Sequence, residues 1–116
     1  MNREKFKEII KERVRISEEC YDEWDDGIKK CWKQEIDILI EDIPSTLIFL
    51  QNECTADEYS WISEVIEDIA EITNSHELIA CYKDLMKKFP EETRKYNISG
   101  SIDYAEAALR EVGSDV

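Results

Sequence analysis

Between Lys33 and Lys83 the sequence contains no lysine or arginine. Those 49 residues carry twelve Asp and Glu, while the flanks are balanced, nine basic against nine acidic over 1–33 and six against seven over 83–116. The middle of the chain therefore supplies nearly all of the net charge of −13. A field of that sign repels nucleic acid and anionic membrane, and it draws in basic proteins. An acidic total also serves solubility, but solubility does not require cations to be missing from one continuous segment.

Other absences narrow the class further. Three Gly and two Pro in 116 residues leave few turns, which favours long helices over a many-stranded sheet. The most apolar window, IDILIEDIPSTLIFL, is interrupted by Glu41, Asp42 and Pro44, so no membrane span is expected. The N-terminal MNREKFKEIIKERVR has no apolar secretory core, which predicts a cytoplasmic protein. Cys20, Cys31, Cys54 and Cys81 form no C-x-x-C pair, so they read as reduced, buried thiols rather than zinc or redox ligands. Asn97-Ile98-Ser99 matches a glycosylation sequon, which has no meaning without a secretory route.

Catalytic chemistry is equally thin. His76 is the one imidazole, so a serine or cysteine nucleophile has a single candidate base. No phosphate-cradling glycine loop occurs. DEWDDG at 22–27 begins like a calcium loop but fails at its third position, Trp24, and its twelfth, Lys33. Neither a metal nor a cofactor is expected, and no enzyme is read.

What the sequence does contain is helical periodicity. Phe6, Ile9, Ile10, Val14 and Cys20/Tyr21 mark a first helix over 3–21, ended by Trp24 or the Asp25-Asp26-Gly27 turn. Ile28, Cys31, Trp32, Ile36 and Leu39 mark a second. Asp42 with Pro44 predicts the start of a short helix over 43–53, with Leu47, Ile48 and Leu50 inside. Thr55-x-x-Glu58 is a capping box opening a continuous helix from about Ala56 to Thr73, its core stripe Tyr59, Ile62, Val65, Ile66, Ile69 and Ile72. Ser75 caps another, with Leu78, Ile79, Tyr82, Leu85, Met86 and Phe89 inward, ended by Pro90. FPEETRKY reads as a turn or short helical turn. Ser99 or Ser101 opens the last helix, with Ile102, Ala105, Ala108 and Leu109 inside and Gly113 at its C-cap. The expected fold is all-α, with five to six antiparallel helices in one domain over 1–116, a bundle or stacked hairpins.

The stretch CTADEYSWISEVIEDIAEITNS at 54–75 is the densest acidic segment. On a continuous helix Glu64, Glu67 and Glu71 gather on the wet face, and Trp61 falls at the border near Asp57, Glu64 and Asp68. Glu64–Asp68 and Glu67–Glu71 are like-charged pairs at i, i+4, each costing roughly 0.2–0.5 kcal/mol. Glu67, Asp68 and Glu71 also fall in that helix's second half, where its dipole disfavours them. Acidity placed against local stability, around an aromatic side chain, points to an interface.

CTADEYSWISE (54–64) and KFPEETRKYNI (88–98) are the most specific pieces of a run over about residues 35–111 that resembles small α-helical immunity proteins of bacterial polymorphic toxin systems, contact-dependent growth inhibition among them. The resemblance implies a cytosolic antidote that binds a cognate toxin domain, often a basic nuclease, and blocks it without chemistry. The charge pattern selects the surface: Asp57, Trp61, Glu64, Glu67, Asp68 and Glu71 first, then Glu35, Asp37, Glu41 and Asp42. A helical adaptor for basic peptides would use the same charge.

Overall fold

The structure, a computed structural model, describes residues 1–20 and 25–110. Its elements are α1 (Arg3–Cys20), α2 (Asp25–Glu41), α3 (Ile43–Asn52), α4 (Ala56–Ile62), α5 (Ile66–Thr73), α6 (His76–Lys88), α7 (Pro90–Lys95) and α8 (Ile98–Ala108). The all-α class holds among the described residues, with eight helices in place of five or six. The helix bounds expected at Tyr21, Trp24 and Gly113 lie outside the described residues. The sequence predicts one domain over 1–116; by its contacts the chain groups into two compact units, Met1–Glu53 and Cys54–Val116.

In the first unit α1 packs along α2, and α3 packs on α2. The inward face of α1 is Phe6, Ile9, Ile10, Arg13 and Ile16, all buried, while Val14 is half-buried. Asp25-Asp26-Gly27 opens α2 instead of closing α1, and a helix N-terminus is where the dipole favours carboxylates. The buried stripe of α2 is Ile28, Cys31, Glu35, Ile38 and Leu39, so Trp32 and Ile36 sit at its border. Asp42 caps α3 by accepting from the Ser45 N–H at 3.4 Å, with Pro44 in the first turn. Thr46 turns inward and donates to the Leu39 carbonyl at 2.7 Å, satisfying an acceptor in the last turn of α2. Phe49 meets Phe6 edge-on at 5.8 Å. Leu50 is buried as expected, whereas Leu47 is half-buried and Ile48 is 56% exposed.

The second unit is built on α5 packed along α8, with α6 and α7 against α8 and α7 against α4. Its core holds Tyr59, Ile62, Val65, Ile66, Ile69, Leu78, Ile79, Tyr82, Leu85, Ile98, Ile102 and Ala105. Tyr82 and Phe89 flank the Tyr59 ring at 5.1 and 5.5 Å. The Ser75 cap forms as predicted, accepting from the Leu78 N–H at 3.2 Å. Pro90 starts α7 at the position where its missing N–H costs nothing. The last helix starts right after Asn97 rather than at Ser99 or Ser101; Asn97 makes no side-chain cap bond and has φ 51°, in the left-handed region that asparagine tolerates. The Asn97 amide lies over Gly100, where a Cβ would come within 2.9 Å of it.

Cys31, Cys54 and Cys81 are buried and in no disulfide, as read from the sequence; the side chain of Cys20 lies outside the described residues. Burial pushes the Cys31 thiol up, and burial together with the nearby Glu58 carboxylate pushes Cys54 up to about 12. No described helix is long and apolar enough to cross a membrane.

Candidate functional site

The capping box at the start of α4 forms as the sequence predicts. The Thr55 hydroxyl accepts from the Glu58 N–H at 3.1 Å, and Glu58 Oε1 accepts from the Thr55 N–H at 3.0 Å. Glu58 itself is buried at 6% exposure, with Tyr59 beside it in the core.

The helix that begins there does not run to Thr73. It stops at Ile62, and α5 restarts at Ile66. Every carbonyl in the last turn of α4 is satisfied by something other than a continuing helix. Tyr82 donates its hydroxyl to the Tyr59 carbonyl at 2.7 Å. The Ser63 hydroxyl donates to the Ser60 carbonyl. Tighter turns carry the Glu64 N–H to the Trp61 carbonyl at 3.1 Å and the Val65 N–H to the Ile62 carbonyl at 3.0 Å. Serine back-bonding of this kind competes with the helix ladder, and Tyr82, 23 residues further on, takes the place of the Ser63 amide.

The break changes what the acidic residues mean. Glu67 and Asp68 now occupy the first turn of α5, which has no side-chain cap, so the dipole favours them. Glu64 lies outside the helix, so Glu64–Asp68 is no longer an i, i+4 pair. Glu67–Glu71 is the like-charged helical pair that persists, with Glu71 toward the C-terminal end. The expectation that this acidity opposes local stability is therefore corrected for all but Glu71.

Of the residues selected from the sequence, Asp57, Trp61 and Glu64 come together. With Ser60, Ser63 and Tyr96, just after α7, they line a cleft of about 310 Å³. Trp61 and Glu64 are half-buried, Asp57 is exposed, and Tyr96 is 52% exposed. Glu67, Asp68 and Glu71 are exposed on α5 and do not line this cleft. Ile72, expected in the core stripe, is instead 57% exposed beside Glu71. Tyr96 and Ile72 are additions that the sequence reading missed: the first arrives through the packing of α7 on α4, and the second lies off the α5 face buried by Ile66, Ile69 and Ala70.

The residues at 35–42 fare differently. Glu35 has 0% exposure, so its inclusion in a docking surface is corrected: it sits four residues after Cys31 and four before Leu39, on the buried stripe of α2. Asp37 is exposed and pairs with Lys33 at 3.4 Å. Glu41 is exposed, and Asp42 is engaged as the α3 cap. These belong to the first unit, and α4 and α5 belong to the second.

No described cluster of His, Cys, Asp or Glu has a metal-holding arrangement. Comparison with known proteins finds no matching family model, no matching curated protein and no matching solved structure.

Proposed function

We propose that this chain is a non-catalytic binding protein, an immunity-type antidote that engages a basic toxin domain through the outer surface of α4 and α5. The observation that carries the reading is local. Asp57, Glu67, Asp68 and Glu71 are exposed, Glu64 lines the adjoining cleft, and the sequence supplies no lysine or arginine from residue 34 to residue 82, although Arg110 reaches the Glu71 carbonyl at 3.5 Å at the end of α5. Trp61 and Tyr96 add aromatic surface beside the charge, and Ile72 adds an exposed aliphatic group. Aromatic anchors within a charged rim are what protein docking sites use.

The resemblance of CTADEYSWISE and KFPEETRKYNI to small helical immunity proteins supports the antidote reading over a general acidic adaptor. A nuclease groove is basic because it attracts phosphates. A rigid set of helix-borne carboxylates competes for that groove and speeds association by long-range attraction.

The test is co-expression with the C-terminal domain of the neighbouring upstream reading frame, scored by growth and by co-purification. Protection with a single tight basic partner is the expected result. A Glu67→Lys/Asp68→Lys/Glu71→Lys variant should lose protection, and the association rate of the parent should fall steeply with added salt. A triple variant that still protects and binds like the parent overturns the assignment of this surface. Capture of several weak basic peptides, with no toxin partner, would replace the antidote by the adaptor.

A further inference from the structure

We infer that the cleft between Trp61 and Tyr96 receives one arginine side chain of the basic partner, an inference that rests on the acidic-surface reading above. Its polar lining is built to accept hydrogen bonds. Asp57 and Glu64 supply carboxylates. The Ser60 hydroxyl already donates to the Asp57 carbonyl at 2.7 Å, and the Ser63 hydroxyl to the Ser60 carbonyl. A serine has one proton to give, so both oxygens are left only as acceptors. A carboxylate offers about four acceptor positions, so Glu64 can take a ligand N–H while keeping its contacts within the chain.

Acceptors of this kind reject carboxylates and phosphates and suit a group that only donates. Two chemistries fit, ammonium and guanidinium, and the walls favour the second. Guanidinium is flat, carries five N–H donors and no acceptor, and is weakly hydrated, so it stacks on an indole or phenol ring while its edge reaches carboxylates. The chain gives its own sign that the Tyr96 ring takes cations, since the Lys95 ammonium lies 5.2 Å from the ring centroid. Lys95 does not line the cleft among the described residues. It acts as an internal competitor for one side of Tyr96.

The experiment uses the full chain, with N-acetyl-arginine methylamide and N-acetyl-lysine methylamide as probes and octalysine as a separate probe of the acidic surface. Binding is read from the Trp61 indole and Tyr96 ring signals by NMR. The arginine probe should shift both saturably and bind at least about 3-fold more tightly than the lysine probe. Asp57→Asn/Glu64→Gln should weaken it by about tenfold. Tyr96→Ala, at a position 52% exposed, should abolish the preference for arginine, and Lys95→Gln should strengthen binding. Equal binding of the two small probes, or indifference to the Asp57/Glu64 variant, overturns the arginine slot. In that case octalysine retention at low salt leaves the acidic-surface reading standing, and octalysine that does not bind removes both.

Discussion

Replacing Tyr82 with phenylalanine isolates the interaction that holds the α4–α5 break open. The ring, at 0% exposure and 5.1 Å from Tyr59, keeps its packing in the variant. What disappears is one hydroxyl, and with it the 2.7 Å bond to the Tyr59 carbonyl and the contact with the Ser63 hydroxyl. That carbonyl is left without its donor in a buried setting, which costs about 1–3 kcal/mol. With a urea m-value of about 1–3 kcal/mol/M, the unfolding midpoint should fall by about 1 M at unchanged m. Far-UV circular dichroism during urea titration measures it. A shift below about 0.2 M would refute the reasoning, because the carbonyl would then have found another donor. The candidate is the Ser63 N–H, the i+4 donor of an uninterrupted helix, which would have to leave the Trp61 carbonyl, and its use would carry Ser63 and Glu64 out of the cleft. The Trp61 indole NMR signal, compared between the two folded proteins, distinguishes that rearrangement from an indifferent hydroxyl.

The remaining expectations concern caps, buried charge and pH. Thr55→Ala removes the acceptor of the Glu58 N–H and one of two donors to Glu58 Oε1, and should cost about 1–2 kcal/mol by thermal or urea unfolding. Glu35→Lys puts an ammonium at a position with 0% exposure and should destabilise by about 3–5 kcal/mol; any loss of binding should then track the unfolded fraction, unlike charge reversal on α5. Stability should fall as pH rises above about 9: Cys54 is raised from an ordinary 9.0 to about 12, and burial likewise raises Tyr59 and Tyr82. In that window the unfolded chain has released protons that the folded chain keeps, so each such group removes up to about 1.4 kcal/mol per pH unit. Cys54→Ala should flatten the alkaline limb of a stability-against-pH curve between pH 9 and 12, the window set by that thiol.

What was legible in the sequence is what three or four adjacent residues decide. Asp42 with Pro44, Thr55 with Glu58, and Ser75 each make their cap from neighbours, and each cap forms where its spacing places it. The break after Ile62 was not legible, because 56–73 keeps its apolar period straight through it. The interruption is set by two serine hydroxyls and by Tyr82 on another helix. Glu35 is the opposite case: helical spacing from Cys31 and Leu39 places it on the buried stripe, while the charge pattern alone points it to the surface. Of the cleft, Asp57, Trp61 and Glu64 were within reach of a helical projection, and Tyr96 was not, since only the packing of α7 on α4 brings it there.

The fold accounts for more of the twelve central carboxylates than the charge total suggests. Glu35 and Glu58 are buried, Asp37 and Glu53 pair with Lys33 and Arg3, and Asp42 is a cap. Asp57, Glu67, Asp68 and Glu77 lie in first turns, where the helix dipole contributes about 0.3–1 kcal/mol each. Helix stability thus explains why anions are present; it does not explain why cations are missing from the exposed neutral positions between them. Ile72 is such a position, one turn after Asp68. Ile72→Lys would set an acid before a base at i, i+4, which favours the helix by about 0.2–0.5 kcal/mol, and the net charge of −13 changes by one. If acidity here served only solubility, the variant would be as soluble and as functional as the parent. If it serves docking, the new ammonium repels each approaching partner cation by about 0.7 kcal/mol at about 6 Å in water. Against several partner cations that slows association several-fold, with no loss of folded stability. Ile72→Ser separates the aliphatic contact from the charge. Parent-like association by Ile72→Lys at low salt would leave the exclusion of lysine and arginine from this segment without a binding cause.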